Sequence, residues 1–280
     1  MYVERPGAEV SVTTYQYAKL DKLRIRYRLE GRGPVIVLIH GVGGSLNDWD
    51  RVAAKLSENY TVLRHDQRGH GESDKLPGPY ELDDFVSDLH GLVTHLNINR
   101  FHLAGFSLGG LVAQGFALTH PEMIDRLILL STVSGRTEEE KKRVLARLDI
   151  VTNGIPGQHF ENSVGRWFTE EFQKANPDVI AAYAKRSREN DPAAYAAAYR
   201  VLATGDLADR LHAIKNPTLV ATAEHDIGSN PRMAALMHEK IAGSKLHIFP
   251  GLRHSILAEA PEAVSQVIRR FLDAGGLADV

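Results

Sequence analysis

The most informative segment of the chain is residues 101–110, FHLAGFSLGG. Residues 101–104 are typical of a buried strand, and Leu108–Thr119 has the composition of a buried helix. Ser107 lies between them, inside a Gly-x-Ser-x-Gly pattern. A sharp turn from a strand into a helix lifts a serine hydroxyl above the end of the sheet, where it can act as a nucleophile. The alternative interpretation is a serine that only caps the helix, with glycines that allow close packing.

The segments on either side of this turn alternate between strand and helix patterns. Continuous β-branched or apolar runs predict strands that are buried on both faces, whereas apolar residues spaced three and four apart predict helices. The predicted strands are 14–19, 23–29, 35–39, 62–65, 101–104, 127–130, 219–223 and 246–249, and the main predicted helices are 46–56, 82–96, 108–119 and 261–272. This order predicts an α/β fold with a mostly parallel central sheet flanked by helices and preceded by an antiparallel hairpin.

The segment 133–205 differs from the rest of the chain because its sequence shows no buried strand. Helical patterns occur instead at 137–150, 164–172, 177–187 and 193–203. We therefore predict an α/β core formed by residues 1–132 and 206–280, with a helical cap formed by residues 133–205. Because the cap joins the sheet directly after strand ends, we expect it to cover the site at Ser107.

The composition excludes several classes of protein. The 280 residues include 33 Lys and Arg and 35 Asp and Glu, and the net charge of −2 argues against binding nucleic acid through its phosphates. The chain has no cysteine, so it has neither disulfides nor thiolate metal ligands. Residues 1–10 lack the pattern of a signal peptide, and no apolar run approaches the roughly 20 residues of a membrane span. We expect a cytoplasmic protein with neither a membrane nor a nucleic-acid partner.

A serine nucleophile needs a base and a carboxylate that orients the base. Of the 13 histidines, His254 follows the last predicted strand in a short loop, from which it can reach the turn at Ser107. Asp226 follows the strand at 219–223, at the edge where open α/β sheets bind ligands. Glu224 is close in sequence and remains the alternative for the acid. The order Ser, Asp, His along the chain is the one that accompanies this kind of turn.

Two backbone N–H groups are needed to bind the oxyanion that forms when a serine attacks a carbonyl group. The N–H of Leu108 is one of them, because of its position at the start of the helix. The loop His40-Gly41-Val42-Gly43 is expected to supply the other, from Val42 or, as the alternative, from Gly43. His40 is better suited to hold this loop than to act as a base. The loop lacks the residues and glycine spacing of phosphate-binding loops.

Together these residues resemble the α/β-hydrolase superfamily, over about residues 23–272. The resemblance rests on the loop at His40-Gly41, the loop Asp66-Gln67-Arg68-Gly69-His70-Gly71-Glu72-Ser73, the turn at Ser107 and the segment Gly251 to His254. It implies a triad of Ser107, His254 and Asp226 that needs no metal or cofactor. A finer resemblance to 3-oxoadipate enol-lactonases and small carboxylesterases rests on Arg166-Trp167-Phe168 and on residues 191–207 and 214–219.

We expect a serine hydrolase that cleaves a small-molecule carboxylic ester or lactone through an acyl-enzyme. Two alternatives remain open at this point. The same triad can hydrolyse a C–C or amide bond, and a small-molecule receptor can keep the triad without turnover. Trp167 and Arg166 of the cap are the first candidates for substrate contact. Further candidates are other arginines of the cap, namely Arg136, Arg186 and Arg188.

Overall fold

An eight-stranded sheet lies at the centre of the computed structural model, which describes residues 14–273. The interpretation of residues 1–10 and the outer ends of the predicted core domain lie outside these described residues. The strands are β1 (Gln16–Leu20), β2 (Leu23–Gly31), β3 (Val35–Ile39), β4 (Thr61–His65), β5 (Phe101–Phe106), β6 (Ile124–Leu130), β7 (Thr218–Ala223) and β8 (Lys245–Phe249). Their order across the sheet is β1-β2-β4-β3-β5-β6-β7-β8.

The described strands pair in antiparallel fashion at one side of this sheet and in parallel elsewhere. β1 and β2 form a hairpin in which Leu20 lies opposite Leu23, and β2 pairs antiparallel with β4. The pairs from β4–β3 to β7–β8 are all parallel. The predicted α/β fold with a mostly parallel sheet is therefore confirmed. Since parallel strands end at the same edge, the residues that follow β3, β5, β7 and β8 are brought together there.

Twelve α-helices surround the sheet among residues 14–273. They are α1 (Asp50–Leu56), α2 (Leu82–His95), α3 (Leu108–Thr119), α4 (Glu138–Asn153), α5 (Gln158–Glu161), α6 (Val164–Trp167), α7 (Glu170–Ala175), α8 (Pro177–Glu189), α9 (Pro192–Thr204), α10 (Pro231–Lys240), α11 (Ile256–Glu259) and α12 (Pro261–Asp273). A short 3₁₀ helix, Leu46–Trp49, precedes α1. None of the described helices is both long and apolar enough to cross a membrane.

Both faces of the parallel strands are buried because successive side chains enter two different cores. In β3, Val37 and Ile39 belong to the core that also contains residues of α2, α3 and α9. Ile36 and Leu38 point the other way and belong to the core that contains residues of α1 and α12. This alternation explains why the strand is a continuous apolar run in the sequence.

Several helical segments differ from their sequence-based prediction, among them the following two. The predicted helix at 164–172 is divided into α6 and α7, because Phe168 is extended, with φ −127° and ψ 143°. Thr169 then caps α7, its side chain accepting the N–H of Phe172. The helix α10 was not predicted, although Asn230 caps it and Pro231 occupies its first turn. A capping asparagine and a proline in the first turn both mark the start of a helix, but a prediction based on apolar spacing does not use them.

The helices α4 to α9 follow β6 and precede β7, so the helical segment is inserted between two neighbouring parallel strands. The two ends of this insertion are bound to each other. The backbone N–H groups of Gly135 and Arg136 donate to the carboxylate of Asp206, at 2.9 and 3.1 Å. The Arg136 guanidinium donates to the carbonyl oxygens of Leu202 and Gly205, at 2.8 and 3.1 Å. These bonds fix where the cap leaves the sheet and returns to it.

The contact between α3 and β3 leaves no room for a side chain at Gly109. A Cβ atom there would lie less than 3.0 Å from the carbonyl oxygens of Ile39 and His40. Backbone atoms of a strand cannot move aside as the end of a flexible side chain can. The glycine therefore lets the first turn of α3 pack directly on the end of β3, which sets the position of Ser107.

We predict that Gly109→Ala lowers the free energy of unfolding by about 1–3 kcal/mol, because the added methyl group would push α3 away from β3. Gly165 in α6 is the matched control, since a Cβ atom there meets nothing within 4 Å. Gly165→Ala should leave the melting temperature unchanged or raise it slightly. Thermal unfolding of both variants beside the wild type measures the difference. Equal melting temperatures for the two variants would contradict the tight contact.

Candidate active site

Ser107 occupies the sharp turn between β5 and α3. Its backbone has φ 55° and ψ −116°, which is rare for a residue with a side chain and costs of order 1–3 kcal/mol. Two hydrogen bonds hold it in this conformation. The N–H of Ser107 donates to Leu130 at 3.0 Å, and the Thr132 hydroxyl donates to the Ser107 carbonyl at 2.7 Å. The side chain lines a cavity between the sheet and the cap.

His254 and Asp226 meet at the same cavity. His254 lies in the loop after β8, and its Nδ1 lies 2.6 Å from Oδ2 of Asp226, which follows β7. The other carboxylate oxygen, Oδ1, accepts the N–H groups of Gly228 and Ser229, each at 2.9 Å. The buried carboxylate is thus fixed in position by the backbone and leaves one oxygen for the imidazole. With Nδ1 bound to Asp226, Nε2 is the nitrogen that can exchange a proton with a serine.

Glu224, the alternative for the acid, points elsewhere. Its carboxylate accepts the N–H of Gly251 at 2.8 Å and is about half exposed, at 51%. Its nearest imidazole is that of His225, at 3.9 Å. The structure therefore brings Asp226, rather than Glu224, to His254.

The residues 40–45, here called the glycine loop, approach Ser107 from the end of β3. A Cβ atom on Gly41 would lie 3.1 Å from Cβ of Ser107, and Val42 lines the same cavity. His40 anchors the start of this loop through both nitrogens of its ring. Its Nε2 accepts the N–H of Gln67 at 3.1 Å, and its Nδ1 lies 2.7 Å from the Gly41 carbonyl. Burial lowers the pKa of His40 well below its ordinary value, so the ring stays neutral and can accept at Nε2.

The loop 66–73 supports this arrangement from further away. Its buried carboxylate, Asp66, accepts hydrogen bonds from Nε of Arg26 and from the N–H groups of Leu46 and Glu72, at 2.7 to 2.8 Å. Three donors on one carboxylate join β2, the start of the 3₁₀ helix and the loop itself. The loop therefore acts on the site by fixing the segment that continues the glycine loop.

The cap side of the cavity contains both first candidates for substrate contact, Arg166 and Trp167. The Trp167 ring packs at 5.6 Å from the rings of His159 and Phe160. Its carbonyl accepts the N–H of Ser255, next to His254, at 2.9 Å. Trp167 thus touches both the cavity and the loop that carries the histidine.

The other predicted arginine contacts divide into two groups. Arg136 and Arg186 line the cavity, but the guanidinium of Arg136 is already bound to backbone carbonyls at the end of α9. The prediction for Arg188 is wrong, because this side chain does not line the cavity. It is about half exposed and lies 3.8 Å from Glu161 on the surface. A helix places only part of its circumference on a cavity, and the spacing from Arg186 turns Arg188 away.

Several cavity residues were not singled out from the sequence. Arg147 of α4, Tyr195 and Tyr199 of α9, and His159 of α5 all contribute to the cap wall. Burial, together with the charges of Arg166 and Arg147, lowers the pKa of His159 to about 4. The four-residue helix that carries His159 is too short to give a periodic signal. Among residues 14–273, no group of three His, Asp or Glu side chains is arranged to hold a metal ion.

Comparison with known proteins agrees with this fold. The family described as alpha/beta hydrolase fold matches residues 34–261. Two relatives from Acinetobacter baylyi are similar over most of their length: an (E)-2-((N-methylformamido)methylene)succinate hydrolase, 30% identical over 88% of this chain and 93% of that protein, and 3-oxoadipate enol-lactonase 2, 27% identical over 85% and 90%.

A solved structure is similar to this chain in its fold. The crystal structure of the enol-lactonase from Burkholderia xenovorans LB400 superposes with a TM-score of 0.86, at 29% identity, over 92% of this chain and 100% of that one. The family match over residues 34–261 covers the strands β3 to β8 and the turn at Ser107. The chain is therefore a member of the α/β-hydrolase family.

Proposed function

We propose that this protein is a serine hydrolase that cleaves small carboxylic esters or lactones through a triad of Ser107, His254 and Asp226. The observation that carries the proposal is the 2.6 Å contact between Nδ1 of His254 and Oδ2 of Asp226, at a cavity that also contains Ser107. The likeness to enol-lactonases supports the choice of an ester or lactone bond.

The proposed reaction begins when His254 removes the proton from Ser107 Oγ as this oxygen attacks the carbonyl carbon. The tetrahedral intermediate collapses, and the leaving alcohol or enol oxygen takes that proton from His254. A water molecule, deprotonated by His254, then attacks the acyl-enzyme, and the carboxylic acid leaves as Ser107 regains its proton. Asp226 keeps the imidazole in the required tautomer and stabilises its charged form.

The oxyanion of both tetrahedral intermediates is assigned to two N–H groups, those of Leu108 and Val42. Leu108 opens α3, whose dipole favours negative charge at its N-terminus. Val42 belongs to the glycine loop next to Ser107. Loss of one such prearranged donor typically lowers kcat by about 10²–10³. A glycine loop held in a fixed conformation is therefore important for the proposed catalysis.

The lining of the cavity favours a small-molecule substrate. The sheet side contributes polar groups, among them Ser107 and His254, and the cap side contributes aromatic rings, among them Trp167 and Tyr195. Concave sites that combine apolar walls with a few polar groups are the usual sites for small molecules.

The charges of the cap wall favour a substrate that carries a carboxylate. Arg147 and Arg166 both line the cavity, and neither forms an ion pair with a carboxylate of residues 14–273. Burial, together with the charge of Arg147, lowers the pKa of Arg166. Two guanidinium groups that repel each other in a partly buried cavity are stabilised by an anion between them. We include Arg166 in the proposed substrate site on this ground, with Trp167 as its apolar neighbour.

The triad is tested first by Ser107→Ala. We expect kcat for 4-nitrophenyl butyrate to fall by several orders of magnitude, with an unchanged melting temperature, because only the nucleophile is lost. A folded variant that keeps more than a few per cent of wild-type kcat would remove Ser107 from the mechanism. Release of an amine or a ketone instead of an alcohol, in parallel assays of amides and β-diketones, would move the proposal to another bond type.

The acid is tested by a matched pair of substitutions. Asp226→Asn should lower kcat by about 10⁴, because the amide stabilises the wrong tautomer of His254. Glu224→Gln should change kcat little, since its contact with the Gly251 N–H is kept by the amide oxygen. The two variants are compared with one substrate at one pH. The opposite ranking would assign the orienting role to Glu224.

The charge preference is tested with two esters of the same acyl length, 4-nitrophenyl butyrate and 4-nitrophenyl hemisuccinate. Arg166→Met should lower kcat/KM for the hemisuccinate by about 10- to 100-fold, because this is the effect expected from the loss of one hydrogen bond between charged groups. It should leave the butyrate nearly unaffected. Arg188→Met, which changes an arginine outside the cavity, is the control. An equal effect of Arg166→Met on both esters would contradict carboxylate binding at this position.

A further inference from the structure

The cap is bound to the glycine loop through an ion pair between Arg186 and Asp48. Arg186 belongs to α8 of the cap, and Asp48 belongs to the 3₁₀ helix that directly follows the glycine loop. Nη1 of Arg186 donates to Oδ1 of Asp48 at 2.6 Å. The second carboxylate oxygen, Oδ2, accepts the N–H of Ser45, the last residue of the glycine loop, at 3.2 Å. One carboxylate therefore connects the cap and the glycine loop.

The environment of this ion pair makes it stronger than a surface contact. The side chain of Asp48 is 11% exposed and that of Arg186 is 29% exposed. The Arg186 guanidinium also packs over the Tyr183 ring, at 4.6 Å from its centre. A carboxylate removed from water in this way is held in place by the cation that it faces. Without Arg186, Asp48 would either draw water into the contact or turn away from Ser45.

A second contact, independent of the ion pair, reaches the same loop from the cap. Nδ2 of Asn190, between α8 and α9, donates to the carbonyl of Gly43 at 3.2 Å. Gly43 has φ +72°, and a Cβ atom on it would lie 2.8 Å from the Tyr195 ring of α9. The middle of the glycine loop thus lies against the cap. Its conformation is not one that the loop sequence alone would maintain, because glycines leave the backbone many alternatives.

The consequence concerns the direction of the Val42 N–H. His40 and Gln67 fix the start of the glycine loop from the sheet side, whereas Asn190 and Asp48 fix its middle and its end. An oxyanion donor contributes to the rate only while it points at the developing charge. Displacement by about 1 Å of a group that positions the reaction can cost about 10² in rate.

We propose that Arg186 is a positioning residue, which acts through Asp48 to hold the glycine loop in the conformation that binds the oxyanion. This inference rests on the proposed serine hydrolase function. It gives the cap a part in stabilising the transition state, in addition to its part in enclosing the substrate. Because Arg186 also lines the cavity, direct contact with an anionic substrate is the competing explanation, and the two predict different kinetics.

The main experiment compares Arg186→Met with Arg188→Met, its neighbour two residues later on α8 and outside the cavity. A positioning role predicts that Arg186→Met lowers kcat by about 10- to 100-fold, equally for 4-nitrophenyl butyrate and 4-nitrophenyl hemisuccinate, with KM changed less than about twofold. Arg186→Lys should recover part of kcat, because it keeps the charge next to Asp48 but not the planar geometry. Arg188→Met should match the wild type.

A transition-state mimic separates positioning from a general loss of structure. 1,1,1-Trifluoro-2-hexanone adds to the serine and forms an oxyanion, whereas 2-hexanone of the same length does not. The inhibition constant of the trifluoroketone should rise in Arg186→Met by the same factor as kcat falls, while binding of 2-hexanone stays constant. Asn190→Ala removes the second contact and should shift both quantities in the same direction. Asp48→Ala removes the group through which Arg186 is proposed to act, and it replaces Arg186→Met where that variant proves too unstable to assay.

Each contrary result has one meaning. Unchanged kcat in folded Arg186→Met, or in folded Asp48→Ala where the former does not fold, overturns the positioning role. A loss confined to the hemisuccinate and expressed in KM overturns it in favour of substrate contact. A wild-type protein that turns over neither ester, and is indistinguishable from Ser107→Ala, contradicts the proposed function itself. These outcomes are distinguishable because the wild type and Ser107→Ala are measured in every series.

Discussion

The close contact of α3 with the end of β3 is the constraint on which the rest of the site depends. Because Gly109 carries no side chain, the helix begins directly against the carbonyl oxygens of Ile39 and His40. The chain must therefore turn within one residue after β5, and Ser107 takes the strained backbone angles that this requires. The strain is maintained by bonds to Leu130 and Thr132 of the next strand and its loop. Packing of the sheet thus sets the position of the serine before any substrate arrives.

Much of the fold and the central part of the site can be predicted from the sequence, because both follow from local signals. A buried parallel strand is a continuous apolar run, and the residue after its carboxyl end lies at a known edge of the sheet. For this reason Ser107, Asp226 and His254 could be assigned to one place without knowledge of their contacts. The choice between Asp226 and Glu224 needed the structure. Both residues follow β7 in the same loop, and the sequence does not show in which direction each side chain points.

The cap was less predictable for a geometrical reason. Arg188 was expected at the cavity and lies at the surface, whereas Arg147 was not singled out and lines the cavity. Both are arginines on polar helices, and a sequence does not state how such a helix is rotated against its neighbours. His159 was missed because α5 has only four residues and no period to detect. In the sheet, by contrast, burial on both faces leaves no such freedom of rotation.

The contacts of the cap also change how its role is understood. All three proposed catalytic side chains come from the sheet domain, which would suggest a cap that governs only substrate choice. Yet the cap reaches the loop of His254 as well, because Arg253 donates to the carbonyl of Phe168 at 3.2 Å and Ser255 donates to that of Trp167 at 2.9 Å. Together with the contacts at Asp48 and Gly43, the cap therefore holds the proposed base from one side and the proposed oxyanion donor from the other. If Trp167 contacts the substrate as proposed, a change in the cap that alters this wall must also act on the histidine loop. Selectivity and catalytic rate are then coupled through the same backbone.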